Sequence, residues 1–216
     1  MTTPRDLNDL PYAQYLQEHP GSLCPDEVHD TVHISRTTFE DVDAGGSRFL
    51  ETALSEVTFS GGSLRRARFN DVWLQAVRMV GTTLAETHWV DAEVISGSFA
   101  GVELFSSELR QVTFFGCKLD SVNLRGTTLR DVRFVDCILQ DVDLREASLT
   151  DVSFPGTRLA SLHLAKARMK DVDLTQASDV GLDDGIDALR GATITYAQLI
   201  DLAAGFAASA GVIVQP

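Results

Sequence analysis

Histidine and cysteine are the side chains of this sequence with the greatest capacity for chemistry, and their spacing gives them little to do. Nucleophilic catalysis needs a Ser, Cys or Thr held against a base that a third group orients. The five histidines, His19, His29, His33, His88 and His163, do not cluster with such a nucleophile. His163 follows Ser161 but sits one residue before the apolar Leu164, so its imidazole is expected on the surface. Cys24, Asp26, His29 and His33 are the one grouping with zinc-like donors, soft sulfur and two imidazoles. Their spacing matches no closed zinc motif. No Gly-x-Gly-x-x-Gly run, Walker loop or nucleophile elbow occurs. The expectation is a chain without catalysis, metal or cofactor.

Charge is placed more regularly. Glu51, Asp71, Asp91, Asp131, Asp151 and Asp171, with Gln111 filling the gap, recur at every twentieth position. A fold that stacked such positions would align six carboxylates along one edge, about 4.8 Å between levels. Such a ridge would imitate the charge of a nucleic-acid backbone. Asp also suits corners for a local reason, because its side chain can hydrogen-bond nearby turn amides. The chain carries 31 acidic and 18 basic residues, a formal charge of −13. That balance excludes a direct nucleic-acid binder, which needs clustered Lys and Arg. It favours a basic protein surface as partner, including one whose ordinary ligand is DNA.

A strict period supplies the stacking. Every residue whose number ends in 4 or 9, from Phe39 to Leu174, is apolar: 28 positions, of which 15 are Leu and 8 are Phe. Two residues earlier stands a small or β-branched side chain in every unit except that of Leu162. A helix repeats at 3.6 residues and a strand at 2.0, so neither explains a period of five. One large and one small side chain point inward, the chain turns a corner, and four such units close one coil. Side chains four units apart are chemically matched: Phe39, Phe59, Met79 and Phe99; Phe49, Phe69 and Trp89; Phe114, Phe134 and Phe154. Cys117 and Cys137 occupy the small inward position and read as buried, reduced filler. Three cysteines make no disulfide framework, which points to a reducing, cytoplasmic setting. The first residues carry no apolar leader, and Leu202–Val214 is too short to span a bilayer.

These units, among them Ala67-Arg68-Phe69-Asn70-Asp71, Val122-Asn123-Leu124-Arg125-Gly126 and Val142-Asp143-Leu144-Arg145-Glu146, resemble the pentapeptide-repeat family. The resemblance implies an all-β solenoid, a right-handed quadrilateral β-helix of about seven coils with four units in each, on the order of 34 Å tall. Its segments would be an N-terminal cap over 1–36, the β-helix over 37–177 and a C-terminal element over 178–216. Pro11–His19 reads as a short helix ended by Pro20-Gly21, and residues 22–36 as irregular. The five-residue register fails at Asp179. Thr195 and Gln198 form a capping box before a helix whose apolar face holds Leu199, Leu202, Ala203, Phe206 and Ala207. Val212–Val214 reads as a short extended tail.

Quinolone-resistance members of the family dimerise through a C-terminal helix and occupy the DNA-binding saddle of type II topoisomerases. The resemblance therefore implies a homodimer seamed by Leu199, Leu202, Phe206 and Ile213, and a ridge that binds DNA gyrase or topoisomerase IV as a DNA mimic. Several of those proteins carry projecting loops, whereas no insertion interrupts residues 37–177 here. The alternative is a protein-interaction scaffold with another partner. Charge bears on the choice: residues 37–106 hold ten acids and five bases, and residues 107–177 hold ten of each.

Overall fold

The computed structural model describes residues 3–19 and 21–214. Pro20, expected to help end an N-terminal helix, lies outside them. Arg68–Gln75, His88–Ile95, Glu108–Phe115 and Thr128–Val135 stack as parallel strands, each residue opposite the one four units further on. The same advance runs from Val28↔Arg48 to Ser153↔Asp173, so no loop is inserted between successive coils in that span. Two parallel sheets and a line of bridges from Asp43 to Asp143 make the sides of a β-solenoid of about eight turns.

The extra turn comes from residues read as irregular. Val28–Asp30 and Val32–Ser35 are strands paired to Arg48–Leu50 and Ala53–Ser55. His29 and Ile34 extend the five-residue inward register upward. Ile34 keeps the apolar period, which breaks at His29. His29 is nonetheless buried, its ring stacked on Phe49 at 4.7 Å.

All 28 periodic positions except Met169 are buried. The aromatic columns stack as the matched spacing requires: Phe39 on Phe59 at 5.1 Å, Phe49 on Phe69 at 4.9 Å, Phe69 on Trp89 at 3.9 Å, and Phe114 on Phe134 at 4.9 Å. The small inward residues do more than save space. Hydroxyls of Ser47, Thr52, Ser107 and Thr127 each donate to the carbonyl 23 positions earlier, at 2.9 to 3.1 Å. The buried free thiols of Cys117 and Cys137 occupy equivalent places, donating to Val94 O and Phe114 O. Each of these buried hydroxyls and thiols is thereby satisfied by the turn above, as burial demands.

Corners fall at numbers ending in 1 or 6, and nearly all have φ near +50°, including Glu51 (45°), Asp91 (54°) and Asp171 (52°). A left-handed residue with a Cβ costs roughly 1–2 kcal/mol, least for Asp and Asn, and Gly adopts it freely. That penalty explains why Asp and Gly crowd these positions.

Both ends differ from expectation. In place of a helix over Pro11–His19 there is one 3-10 turn, Ala13–Tyr15, then a two-residue strand, Gln17–Glu18, paired to Val32–His33. A second 3-10 turn covers Leu7–Asp9. At the other end the coil does not stop at Asp179. Asp179–Asp184 pairs with Arg158–His163 irregularly, at an offset of 21 where Val180 lies opposite Leu159 and of 20 where Leu182 lies opposite Leu162. A local register shift puts Val180 opposite core Leu159, so a polar Asp only seemed to fall in the core. The helix Tyr196–Ser209 begins with the expected capping box: Gln198 N donates to Thr195 Oγ1 at 3.1 Å and Thr195 N to Gln198 Oε1 at 2.8 Å. Gln198 Nε2 also donates to Leu174 O, tying the helix to the last turns. Residues 212–214 carry no regular secondary structure. Among the described residues no helix is long and apolar enough to cross a membrane.

Candidate functional site

The repeat places Glu51, Asp71, Asp91, Gln111, Asp131, Asp151 and Asp171 on one corner, at the same point of seven successive turns, all exposed. Stacking at roughly 4.8 Å makes this column about 29 Å long. None of its six carboxylates forms a hydrogen bond or ion pair among the described residues. The expected bond from corner Asp to turn amides is therefore not what selects it. Those bonds are made elsewhere, by Asp43 to Gly45 N, Asn123 to Arg125 N, Asp143 to Arg145 N and Asp173 to Thr175 N. Left-handed backbone, not side-chain capping, is the structural reason for acid at the ridge corner.

Several charges off the ridge are paired. Arg65 pairs with Glu86, and Arg125 with Glu146 at 2.6 Å, each acid 21 positions later. Arg145 holds Asp143 by two bonds at 2.7 and 2.9 Å. Exposed pairs of this kind add little stability, but they cancel the basic line at 65, 125 and 145. Arg110 and Arg130 stack directly one above the other, one residue before the ridge. The ridge is thus a continuous line of carboxylates without ion pairs among the described residues, with a basic flank beside its middle.

The histidines and cysteines do not converge. Cys24 is exposed, His29 is buried over Phe49, and His33 Nε2 meets Ser55 Oγ at 2.6 Å. Among the described residues no three His, Cys, Asp or Glu are placed to hold a metal. His163, expected free on the surface, is half-buried between Asp141 and Asp184, at 3.3 and 3.2 Å.

At the C-terminal end the four seam residues separate. Leu202 is buried and Phe206 packs on the rod's own core. Leu199 and Ile213 are exposed, together with Tyr196, Ile200, Val212 and Val214.

One feature escaped the periodic reading. Residues 3–16 run down the outside of the face between the ridge corner and the next. Leu10 and Tyr12 are buried there against Ala53, Trp73, Ile95 and Phe115, with Leu7, Ala13 and Leu16 alongside. Trp73 Nε1 donates to Arg5 O at 3.0 Å, and Arg5 Nε donates to Glu93 at 2.8 Å. This strap touches the ridge electrostatically. Burial, then Asp91, hold the Asp71 carboxyl above its usual range, against the pull of Arg5. Outward apolar residues one turn apart, Ile95, Phe115, Val135 and Pro155, were the available signal, masked by the stronger inward pattern.

Two family models cover just over half of the chain, pentapeptide repeats over residues 34–71 and a pentapeptide repeat region over 88–164. The chain belongs to the pentapeptide-repeat family. Among solved structures, two trypsin-treated variants of QnrB1, a plasmid-mediated fluoroquinolone resistance protein, share the fold of this pentapeptide-repeat chain. One has a TM-score of 0.60 at 13% identity over 92% of this chain and 100% of its own. The other has 0.51 at 12% identity over 92% and 96%. A search of curated proteins finds no match.

Proposed function

We propose that this pentapeptide-repeat chain acts without catalysis, as a rod that occupies the DNA-binding surface of a type II topoisomerase, DNA gyrase or topoisomerase IV, and so alters quinolone sensitivity. The observation that carries this reading is the column Glu51, Asp71, Asp91, Asp131, Asp151 and Asp171, exposed and without ion pairs among the described residues. One carboxylate per roughly 4.8 Å approaches the axial density of one DNA strand, a phosphate per about 3.4 Å. A basic groove that binds phosphates through shape and charge would accept such an edge, and QnrB1, which shares the fold, is a fluoroquinolone resistance protein. Two rods would join end to end through the exposed Leu199 and Ile213, while Leu202 and Phe206 fix the helix to its own rod.

The test is gyrase supercoiling with purified protein, with and without a fluoroquinolone. Wild type is expected to change supercoiling or drug inhibition, and a variant with Asn at positions 71, 91, 131, 151 and 171 to lose the effect. Asn tolerates the left-handed corner, so this variant keeps its fold. No effect of wild type at concentrations above that of gyrase would overturn the reading. A second reading, a scaffold for a different protein, is favoured by the balanced charge of residues 107–177, ten acids against ten bases. Supercoiling unchanged in both arms would favour it.

A further inference from the structure

Below the end of the strap, the face it covers continues as an open groove of about 930 Å³. We propose that this groove docks an extended segment of a partner protein in which basic and apolar side chains alternate. The inference does not rest on topoisomerase binding.

Two observations carry it. The groove's composition is the first. Its floor holds Phe115, Val135 and Pro155, outward-facing side chains one turn apart. Its walls and floor carry five aspartates, Asp131, Asp136, Asp151, Asp171 and Asp173, against one arginine, Arg133. An apolar floor between acidic walls selects a chain that offers both hydrocarbon and cations.

The second observation is continuity with an interface the molecule already makes. Thr3 and Pro4, the described start of the strap, border the groove. Three turns of the same face above it show how such a segment binds. Leu7, Leu10 and Leu16 lie on the outward side chains of Trp73, Ile95 and Phe115. Arg5 reaches the outward carboxylate of Glu93, and its carbonyl accepts from Trp73. Phe115 belongs to both surfaces, so the apolar stripe runs unbroken from strap to groove. A partner segment would extend the same recognition, leucine-like residues on Val135 and Pro155 and basic residues on the flanking aspartates.

The experiment uses the full chain and a fluorescently labelled twelve-residue peptide of alternating arginine and leucine, followed by anisotropy. One control peptide replaces each leucine with serine, another each arginine with glutamate. Pro155→Lys puts a cation on the groove floor and keeps the carbonyl that accepts from Asp136 N. Ser106→Lys makes the same charge change at an exposed corner away from the groove, where Lys166 shows that lysine is tolerated with φ of 63°. Saturable binding of the arginine–leucine peptide is expected, weakened at least tenfold by Pro155→Lys and less than twofold by Ser106→Lys. Both control peptides are expected to bind at least tenfold more weakly. No binding, equal loss in the two variants, or equal binding of the arginine–serine peptide would overturn the proposal, the last two marking diffuse attraction to the ridge. If Pro155→Lys fails to fold by circular dichroism, Ser153→Lys on the same floor takes its place. None of these outcomes bears on supercoiling, so the two readings fail separately.

Discussion

Removing Trp73 tests whether the strap is an independent unit of stability. Its side chain is 1% exposed, yet it lies outside the solenoid core, covered only by the strap. Truncating a buried Trp or Phe to Ala inside a core costs about 3–5 kcal/mol, because the hole cannot close. Here the covering element is a single chain segment held at one end by Gln17–Glu18 on Val32–His33. Trp73→Ala should therefore release the strap and leave the rod intact. A loss of about 3 kcal/mol corresponds to more than a hundredfold in local opening, at roughly 1.4 kcal/mol per factor of ten. Hydrogen exchange reads this directly. The strap amides of Asp9, Ala13 and Tyr15, bonded to Asp6 O, Leu10 O and Tyr12 O, should lose protection. Ladder amides such as Arg68 N, bonded to Ser47 O, should keep theirs. A uniform loss across strap and ladder would mean that Trp73 belongs to the global core. Unchanged strap protection would mean that it does not hold the strap. Either result refutes the reasoning.

The core stack gives a contrasting case: Phe69→Ala, between Phe49 and Trp89, should lower global stability by about 3–5 kcal/mol in chemical denaturation, and a loss under about 1.5 kcal/mol would contradict tight stacking. Burial lowers the pKa of His29, and of His19 and His33. Neutral imidazoles therefore stabilise the first turn fully above the unfolded value of about 6.5, and that contribution is lost as pH falls through their folded values. Because His29 Nε2 is buried without a hydrogen-bond partner, His29→Phe should stabilise by about 1 kcal/mol at pH 7, raising Tm by roughly 2–4 °C, and by more at pH 5.5. A thermal scan showing equal pH dependence in both proteins would count against it. Leu199→Glu combined with Ile213→Glu should halve the mass of a C-terminal dimer in light scattering without lowering Tm; a native mass would remove these residues from the seam.

The period of five was legible because the interior accepts one large and one small side chain per unit, and 27 of 28 consecutive units obey. The ridge followed from that period alone. What stayed hidden falls where one signal overlies another. His29 keeps the inward register but is polar, so the first turn read as irregular. A register shift near Asp179 looked like the end of the coil, although pairing continues through it with offsets of 21 and 20. Trp73, Ile95 and Phe115 stand at outward positions, where the repeat predicts only solvent. Their burial depends on a strap remote in sequence, Arg5 meeting Trp73 across 68 positions, a contact that no local pattern encodes. At the C-terminus the capping box set the helix start correctly, but not which apolar side chains face the rod.

The constant advance of four units per turn makes the molecule behave like a combination lock under insertion and deletion. Deleting one whole turn, such as residues 101–120, shortens the rod by about 4.8 Å and leaves every face in line. Deleting a single unit of five would leave the five-residue core pattern unbroken. Everything below the cut would nevertheless rotate by one side. Asp131, Asp151 and Asp171 would then continue a different corner from Glu51, Asp71 and Asp91. Changes invisible to the interior can thus rewrite the exterior. For a chain of this kind, whether a gap spans a whole number of turns matters more to recognition than the identity of the residues lost.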